Sequence, residues 1–361
     1  MKKFEFPEKP KYKFTNEQLA QRTQILNKQI EHIKYEDLKD IAPLIDSFSK
    51  SSFQARKLGE GAKLYKKELE KETTIIWSLA GSIFSAGLRK LVIESIRNNL
   101  VDCLVCTGAL FEQDMLEALG HKHYAQTSLS EDSKLQSLLI DRIYDHLLDE
   151  LELQHVDLTY KKIARQISPG NYSSREFMQQ CGKWLSKTKN AKDSVMFAAY
   201  EMNIPIFIPA LNDCSIGIGL AMNQVESDGG ICIDSIKDLR EIAMMKSICG
   251  DSGIIIIGGG VPKNYSQDSV IMAEMLGYNV KKHKFGIQIS TADSRDGGLS
   301  GSTLKEAISW GKNDRKMREV MIWGEASVYF PLLLSYIYNV KRDDKKELNK
   351  HINTNELQKR K

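Results

Sequence analysis

Three residues near the end of the chain have types and spacing that suit chemistry on an amine. They lie in the stretch 303–312, TLKEAISWGK, which has the signals of a short helix. Lys312 carries a primary amine, and a lysine amine that is neutral can form an imine with a carbonyl carbon. Trp310 would supply an apolar wall and a ring face for a cationic ligand. Glu306 precedes Trp310 by four residues, so a helix places both on one face.

Each of these residues also has a structural interpretation. A lysine at the end of a helix can simply complement the helix dipole. Thr303 and Glu306 have the spacing of a capping box, in which the threonine caps the helix and the glutamate returns a hydrogen bond. The spacing alone therefore leaves a chemical and a purely structural role open for Lys312 and for Glu306.

Loops rich in glycine, serine or threonine follow most of the predicted strands. They cover 81–87, 107–109, 211–217, 258–264, 291–302 and 324–327. Ligands of open α/β sheets bind in loops of this kind, beyond the carboxyl ends of the strands. Unhindered backbone N–H groups near helix N-termini suit a phosphate, so the set of loops favours a nucleotide or dinucleotide. No GxGxxG fingerprint follows the first strand, and the GGG at 258–260 is by itself equally typical of a tight turn.

Apolar runs without alternation indicate strands that are buried on both faces. They alternate with segments of helical periodicity, which predicts an α/β fold with a parallel sheet and helices on both faces. Predicted strands cover 76–80, 101–106, 204–210, 229–234, 253–257, 285–290 and 319–323. Predicted helices cover 16–34, 36–50, 53–72, 87–99, 111–120, 174–187, 192–202, 268–276, 303–311 and a segment from 326, with helix signals throughout 130–165.

The chain divides by composition into three parts. Residues 1–60 are polar and are predicted to form an N-terminal helical arm, and 61–340 form the main α/β domain. The segment 341–361 is rich in lysine and poor in large apolar residues, so we expect a solvated, basic tail.

Charge and hydropathy restrict the class of protein. Of the 361 residues, 42% are hydrophobic, and the net charge of +4 is too small to indicate nucleic-acid binding. The lysines at the N-terminus precede no apolar signal segment, and the longest apolar run is too short to cross a membrane. We therefore expect a cytoplasmic protein with no nucleic-acid or membrane partner.

Six cysteines are scattered along the chain, and only Cys103 and Cys106 form a C-x-x-C pair. The pair lies in LVDCLVCTG, which predicts a buried strand. Residues three apart on a strand point to opposite faces, so these thiols are not expected to share a metal or a disulfide. Small buried side chains in a reducing compartment are the expectation, without a metal site.

The order of the motifs resembles deoxyhypusine synthase and its bacterial and archaeal relatives. The similar stretches span roughly residues 50–338. In chain order they are FQARKLGEGAKL, GSIFSAGLRKLV, NNLVDCLVCTGALFEQDM, NIPIFIPALNDCSIG, GDSGIIIIGGGVPKN, EAISWGK and GEASVYFPLLL. The combination is far more specific than any single glycine loop.

The resemblance implies a Rossmann-like, NAD-binding catalytic domain over 61–340 and a homotetramer with active sites at dimer interfaces. In the family, NAD takes a hydride from spermidine, and a lysine that matches Lys312 holds the aminobutyl group as an imine. The group then passes to an acceptor amine, which is a protein lysine or, in some bacterial relatives that make homospermidine, a small diamine.

The resemblance also implies roles for individual residues. The catalytic residue is Lys312, and the residues that match the amine site are Glu306, Trp310, Asn264 and Asp213. The residues that match the cofactor site are Ser85, Thr107, Gly108, Glu112, Gly258, Gly259, Gly260, Asp296, Gly297, Ser300, Glu325 and Ala326. Glu112 is included because Gln113 occupies the position of a family glutamate.

Several amine-facing positions depart from the family pattern. Ile218 and Leu299 stand where the family has carboxylates, and Asn264 replaces a histidine. Burying a polyamine ammonium group without a partner costs several kcal/mol, so these losses bear on the ligand. Three explanations remain open: a shift of register onto neighbouring aspartates, a different amine, or a paralogue that binds NAD without catalysis. A homospermidine synthase-like enzyme is the alternative among enzymes.

Overall fold

The computed structural model describes residues 15–17, 20, 41–126, 131–137, 139–227, 230–337, 339–342 and 346–353. Most of the predicted helical arm, and the end of the basic tail, therefore lie outside the described residues. The part of the arm that is described includes helix α1 (Ile41–Phe48), which packs on the next helix.

The strands of the described residues run from two to eleven residues. In chain order they are β1 (Thr74–Leu79), β2 (Cys103–Cys106), β3 (Tyr124–Ala125), β4 (Ile140–Ile143), β5 (His146–Asp149), β6 (Gly170–Tyr172), β7 (Ile206–Phe207), β8 (Ile231–Ile233), β9 (Ser252–Ile257), β10 (His283–Ser290) and β11 (Asn313–Trp323). Of these, β1, β2, β7, β9 and β10 are buried almost throughout. The helices after α1 are α2 (Phe53–Leu69), α3 (Arg89–Arg97), α4 (Gly108–Ala118), α5 (Asp132–Ser137), α6 (Glu150–Arg165), α7 (Ser174–Leu185), α8 (Val195–Glu201), α9 (Ser215–Glu226), α10 (Ser235–Ile248), α11 (Gly260–Met275), α12 (Glu306–Ser309), α13 (Ala326–Ile337) and α14 (Leu348–Asn353).

Six strands form one parallel sheet in the order β11-β10-β9-β1-β2-β7. Numbered along the chain within this sheet, the order from the other edge is 3-2-1-4-5-6, which is the order of a Rossmann fold. The order reverses between β1 and β9, and ligands of such sheets bind beyond the carboxyl ends of the strands at that point. The predicted Rossmann-like parallel sheet is confirmed.

Alternate residues of the central strands enter two separate apolar cores. Ile75 and Trp77 of β1 pack in the larger core, and Ile76 packs in the smaller one on the opposite face. Cys103 and Cys106 are both fully buried and lie in different cores, as the strand prediction required. Helices therefore cover both faces of the sheet, which explains why its strands are apolar without alternation.

The prediction of helix throughout 130–165 was wrong at its centre. The chain forms a hairpin of β4 and β5 there, which joins β3 in an antiparallel sheet. Leu139 and Tyr144 have φ of 56° and 55°, and these left-handed residues interrupt the helix. The sequence lacks the Asn-Gly or Asp-Gly turn that signals a two-residue hairpin, so the apolar spacing resembled a helix.

Two further expectations need correction. The predicted strand at 229–234 exists as β8, but β8 pairs with β6 in a separate two-stranded sheet. The segment 341–361 was expected to be solvated, yet Arg342 is buried in an ion pair with Asp102 and Leu348 of α14 is buried in the smaller core. The boundaries predicted for the arm and the main domain stay predictions.

Candidate active site

Two cavities meet at the carboxyl ends of β1 and β9, where the strand order reverses. Their volumes are about 530 and 470 Å³, and both are lined by Ala80, Gly81, Ser82 and Gly258. The larger, called here the β10–β11 cavity, extends to Ser85, Glu325 and Ala326. The smaller, called the glycine cavity, is lined by Thr107, Gly108, Asp213, Gly258, Gly259, Gly260 and Ser300. Ten of the predicted site residues therefore meet at one edge of the sheet.

The glycine turn after β9 requires its glycines. Gly258 has φ of 76°, a conformation that side chains disfavour, and a Cβ there would lie 3.2 Å from the carbonyl oxygen of Ala80. A Cβ on Gly259 would overlap the backbone of Ser300. Ser300 Oγ accepts a hydrogen bond of 3.0 Å from Gly260 N–H, and Gln288 donates to the carbonyls of both Gly258 and Ser300 at 2.8 Å.

The helix after this turn begins earlier than its predicted start at 268. The segment 258–264 was interpreted as a loop, but α11 starts at Gly260 and contains Pro262 in its first turn. Proline is tolerated there because the first N–H groups of a helix have no partner within the helix. The N-terminus of α11 therefore lies in the lining of the glycine cavity, as does the N-terminus of α4 at Gly108.

The two cavities have the features of a dinucleotide site. Two helix N-termini converge on the glycine cavity, where their dipoles favour an anion such as a diphosphate. Ser85 Oγ and Thr107 Oγ1 are buried at the lining and have no hydrogen-bond partner among the described residues. Buried hydroxyls are normally paired, so these two are available to a ligand. Asp213 and Glu325 supply carboxylates to the lining that can accept ribose hydroxyls.

Lys312 lies in a third pocket of about 390 Å³, called here the lysine pocket. Gly311, with φ of 76°, ends α12, and Gly311 N–H and Lys312 N–H donate to the carbonyls of Ile308 and Ala307 at 3.0 and 3.1 Å. This pattern is a Schellman motif, which turns the chain directly from α12 into β11. The Lys312 side chain is 12% exposed, and its Nζ lies 5.4 Å from the centre of the Trp310 ring.

The amine of Lys312 is held by two groups of α11. Nζ lies 2.8 Å from Asp268 Oδ1 and donates to Asn264 Oδ1 at 2.9 Å. Asn264 Nδ2 in turn donates to Asp268 Oδ2 at 2.6 Å, which closes a ring of three side chains. Charge-assisted hydrogen bonds of this kind are short and orient both partners. Asp268 was not predicted from the sequence, although it lies four residues after Asn264 on one helix face.

A second lysine is buried beside the first. Lys263 of α11 is 1% exposed and donates to the carbonyl and the hydroxyl of Ser302. Burial lowers the pKa of Lys263 to about 8, with the positive charge of Lys312 acting in the same direction and Glu306 opposing both. Lys263 thereby fastens the loop that separates the lysine pocket from the glycine cavity. Lys263 was not predicted, because a lone lysine in GGGVPKN carries no local signal.

Glu306 and Trp310 both line the lysine pocket, together with Leu299 and Gly297. Glu306 N–H donates to Thr303 Oγ1 at 3.0 Å, which is the threonine half of the predicted capping box. The helix itself is shorter than predicted, because residues 303–305 form a turn before it. Glu306 is exposed and belongs to the lining of the lysine pocket.

Some predicted site residues lie elsewhere. Asp213, expected near the amine, lines the glycine cavity, whereas Gly297, expected near the cofactor, lines the lysine pocket. Glu112 accepts a hydrogen bond of 3.0 Å from Ser215 N–H at the start of α9, and burial raises its pKa. Asp296 is exposed and accepts from Gly298 N–H at 2.6 Å.

Three replaced positions have separate consequences. Leu299 lines the lysine pocket, so an aliphatic side chain stands where the family pattern has a carboxylate. Ile218 lies on α9 and is 51% exposed, away from the residues that line the lysine pocket. Gln113 is buried, and its Oε1 accepts from Ser85 N–H at 3.0 Å, which holds the turn after β1.

The loop 297–302 and helix α11 separate the lysine pocket from the glycine cavity and contribute residues to both. The loop 297–302 lines the pocket with Leu299 and the cavity with Ser300. Helix α11 does the same, since Val261 lines the cavity and Asn264 lines the pocket. The fold and this arrangement define a doubly wound α/β protein with a pocket around Lys312 beside a glycine-lined cleft at the switch point of the sheet.

Comparison with known proteins agrees with this architecture. Residues 43–337 match the family model described as deoxyhypusine synthase, and the chain belongs to the deoxyhypusine synthase family. It is 44% identical over 327 residues to the deoxyhypusine synthase-like protein of Chlorobaculum parvum, covering 90% of this chain and 93% of the relative. It is 39% identical over 313 residues to "Probable deoxyhypusine synthase 2" of Methanosarcina mazei, covering 86% and 90%.

A solved structure shares the fold. The crystal structure of an Entamoeba histolytica protein named for deoxyhypusine synthase superimposes with a TM-score of 0.58 at 20% identity, covering 88% of this chain and all of that one. The helices of the described ranges include none with the length and apolarity needed to cross a bilayer.

Proposed function

We propose that this chain is an NAD-dependent transferase that moves an alkylamine group, such as the aminobutyl group of spermidine, through an imine on Lys312. The observation that carries the proposal is the position of Lys312 Nζ. It lies in a pocket with the Trp310 ring at 5.4 Å and two carboxylates in the lining, separated by one loop from a dinucleotide-type cleft. Family membership supports the same reaction class.

The residues of the cleft would hold NAD in the following way. The N-termini of α4 and α11 would bind the diphosphate, and Asp213 and Glu325 would accept hydroxyls of the riboses. When bound, NAD would accept the hydride that leaves the carbon next to the substrate nitrogen. The side chains of the lysine pocket would hold the amine at the edge of this cleft, where its carbon could contact the nicotinamide.

The lysine pocket would bind and hold the amine. Glu306 would pair with one ammonium group, and the Trp310 face would contact the cation or the alkyl chain. Lys312, largely withdrawn from water, would attack the oxidised carbon and retain the alkylamine fragment until an acceptor amine takes it. The acceptor, either a protein lysine or a small diamine, would enter by the open side of the pocket.

One observation favours a small-molecule product as the second candidate. The charged residues in the lining of the lysine pocket are Asp268, Glu306 and Lys312, and Leu299 removes a carboxylate expected there. Fewer carboxylates suit an amine with fewer ammonium groups, because each buried charge needs a partner. A homospermidine synthase-like reaction on putrescine follows this reasoning.

Exposed apolar side chains support an assembly with sites at subunit interfaces. Val261, Leu299 and Trp310 line the two pockets and are 48%, 45% and 66% exposed. Adjacent apolar residues on a surface are typical of protein interfaces. The expected state is a homotetramer, and light scattering on the purified protein tests it, since a monomer at micromolar concentration contradicts it.

Borohydride trapping tests the reaction. The protein is incubated with NAD and spermidine, putrescine or agmatine, reduced, and digested for mass spectrometry. An alkylamine adduct on Lys312, with amine-dependent absorbance at 340 nm, is expected. NAD binding without either signal for any amine would support a non-catalytic member of the family instead. Product analysis with and without a protein acceptor separates protein modification from polyamine synthesis.

Lys312→Ala should abolish the adduct and lower the transfer rate at least about a hundredfold, because no other group holds the fragment. NAD affinity, measured by calorimetry, should change by less than about twofold, since Lys312 is not in the lining of the cleft. Lys305→Ala, which changes an exposed lysine just before α12, is the matched control and should leave both quantities unchanged.

A further inference from the structure

We infer that Asp268 is a catalytic residue that takes the proton from Lys312 and returns it to the group that leaves the reacting carbon. The inference rests on the proposed imine chemistry at Lys312. It assigns a proton carrier, Asp268, that was not among the site residues predicted from the sequence. Geometry carries it, because Asp268 and Lys312 meet only through the packing of α11 against the turn after α12.

The contact between Asp268 and Lys312 places a carboxylate next to the amine nitrogen that would react. Asp268 Oδ1 lies 2.8 Å from Lys312 Nζ, within the distance at which a proton passes between heavy atoms. The second oxygen, Oδ2, accepts a hydrogen bond of 2.6 Å from Asn264 Nδ2. Asn264 Oδ1 accepts from Nζ at 2.9 Å, so the amide fixes both the carboxylate and the amine.

Asn264 cannot itself be the base. A side-chain amide neither gains nor loses a proton in this pH range, so it can only orient its neighbours. Of the described residues that line the lysine pocket with Lys312, Glu306 is the other titratable group besides Asp268, and the nearby Lys263 is buried and donates to Ser302. Asp268 is the carboxylate in direct contact with Nζ, which makes it the group placed to accept the proton.

The proton balance of the step is closed. Lys312 begins as an ammonium group paired with the Asp268 carboxylate. Transfer of one proton to Asp268 leaves a neutral amine, whose lone pair forms the new bond to the electrophilic carbon. After the addition, Nζ still carries two hydrogens, and one of them passes to the original oxygen of a carbonyl or nitrogen of a neutral imine. Asp268 then donates the proton it took to the same atom, which leaves the carbon. The products are the Lys312 iminium and a neutral amine or water, and no oxidant or reductant is consumed in this step.

A carbonyl probe tests this role without NAD or a polyamine. Butanal forms an imine with a lysine amine, and borohydride quenching followed by mass spectrometry gives the rate at Lys312. Acetic anhydride reports separately how much neutral, accessible amine Lys312 presents, because acetylation needs no acid to expel water. Asp268→Asn should slow imine formation about a hundredfold or more, while acetylation stays equal or rises.

Conservative and control variants separate catalysis from structure. Asp268→Glu should recover a large part of the imine rate, and added formate should accelerate Asp268→Ala but leave Asp268→Asn unchanged. Glu274→Gln removes an exposed carboxylate later in the same helix and should behave as the wild type.

Three results would overturn the inference. An unchanged imine rate in Asp268→Asn would show that the carboxylate is only an ion-pair partner. An equal fall of imine formation and acetylation would show that it only shapes the pocket. Acetylation of the wild-type lysine without imine formation would remove the step altogether. Failure of the proposed transfer reaction is seen separately, in the trapping experiment with NAD and amines.

Discussion

Two neighbouring lysines, Lys312 and Lys263, have different surroundings at the lysine pocket. Lys312 is held by Asp268 and Asn264 in an open pocket, whereas Lys263 is buried and, within the described part of the chain, donates to Ser302. The first is placed to react with a ligand. The second fastens the loop 297–302, and its buried charge affects stability in a way that depends on pH.

The sign of that effect follows from the lowered pKa of Lys263. Burial brings the pKa to about 8 from an unfolded value of 10.5, so between these values the unfolded chain binds a proton that the folded chain has released. Folding stability contributed by this group therefore rises as pH increases from about 8 to 10.5 and is lowest below pH 8.

Lys263→Met should remove this dependence. The variant loses the hydrogen bonds to Ser302 at every pH but no longer buries a charge below pH 8. As pH rises from about 8 to 10.5, the wild type gains stability that the variant does not gain. The stability of the variant relative to the wild type should therefore fall by roughly 2–3 kcal/mol. Urea denaturation at pH 7.5 and pH 10 measures the difference, and a difference that is the same at both pH values contradicts the assignment.

At the scale of secondary structure, the glycine turn between β9 and α11 determines the shape of the cleft. Gly259 touches the backbone of Ser300, and the loop 297–302 is then held against the turn by Gln288 and Ser300 itself. A methyl group at 259 has to push this loop away. The loop is shared by both pockets, so the change should reach the cofactor and the amine sides together.

Gly259→Ala should therefore weaken NAD binding by at least about tenfold, which corresponds to about 1.4 kcal/mol. Calorimetric titration measures the affinity, and hydrogen exchange of 297–302 should become faster. Gly61→Ala is the matched control, because a Cβ there meets Ile287, Ile322 and Val320 at 3.5 to 3.6 Å, which is ordinary contact. In the interior of α2 this change should stabilise the protein by about 0.5–1 kcal/mol. Unchanged NAD affinity in Gly259→Ala would show that the turn does not shape the site.

The elements themselves were predicted unevenly. Buried strands such as β9 and the cysteine-bearing β2 were evident, because a strand covered on both faces must be apolar throughout. The β4–β5 hairpin was not, because its turn uses Tyr144 at a left-handed φ instead of the glycine that usually signals it. The start of α11 was missed because glycine and proline, which usually mark loops, occupy its first turn.

Across the whole molecule, the C-terminal segment closes the fold. Arg342 Nη1 donates to Asp102 Oδ2 at 2.9 Å, and the same carboxylate oxygen accepts from Ile75 N–H at 2.7 Å. Asp102 lies just before β2, so this buried pair ties the end of the chain to the central sheet. Leu348 and Ile352 of α14 add apolar contacts to the smaller core.

Arg342→Ala should destabilise the protein by about 3–5 kcal/mol, since it leaves the Asp102 charge buried without its partner. Denaturant unfolding checks this value. Arg342→Met combined with Asp102→Asn should recover part of the loss, because no uncompensated charge remains. Lys350→Ala, which removes an exposed lysine of α14, should change stability by less than about 0.5 kcal/mol. If Arg342→Ala also cost less than about 0.5 kcal/mol, the Arg342–Asp102 ion pair would not contribute to the stability of the fold.

The sequence by itself determined what depends on near neighbours: apolar strands, helical periods, and the grouping of Glu306, Trp310 and Lys312 within one turn and its cap. Side chains three or four residues apart meet in any helix, so this grouping needs no knowledge of the fold. Only the tertiary structure decided that Asp268 and Asn264 hold Lys312, that Asp213 faces the glycine cavity, and that Arg342 returns to Asp102. These contacts join residues 48 and 240 positions apart, and packing of distant elements sets them without leaving a local pattern in the chain.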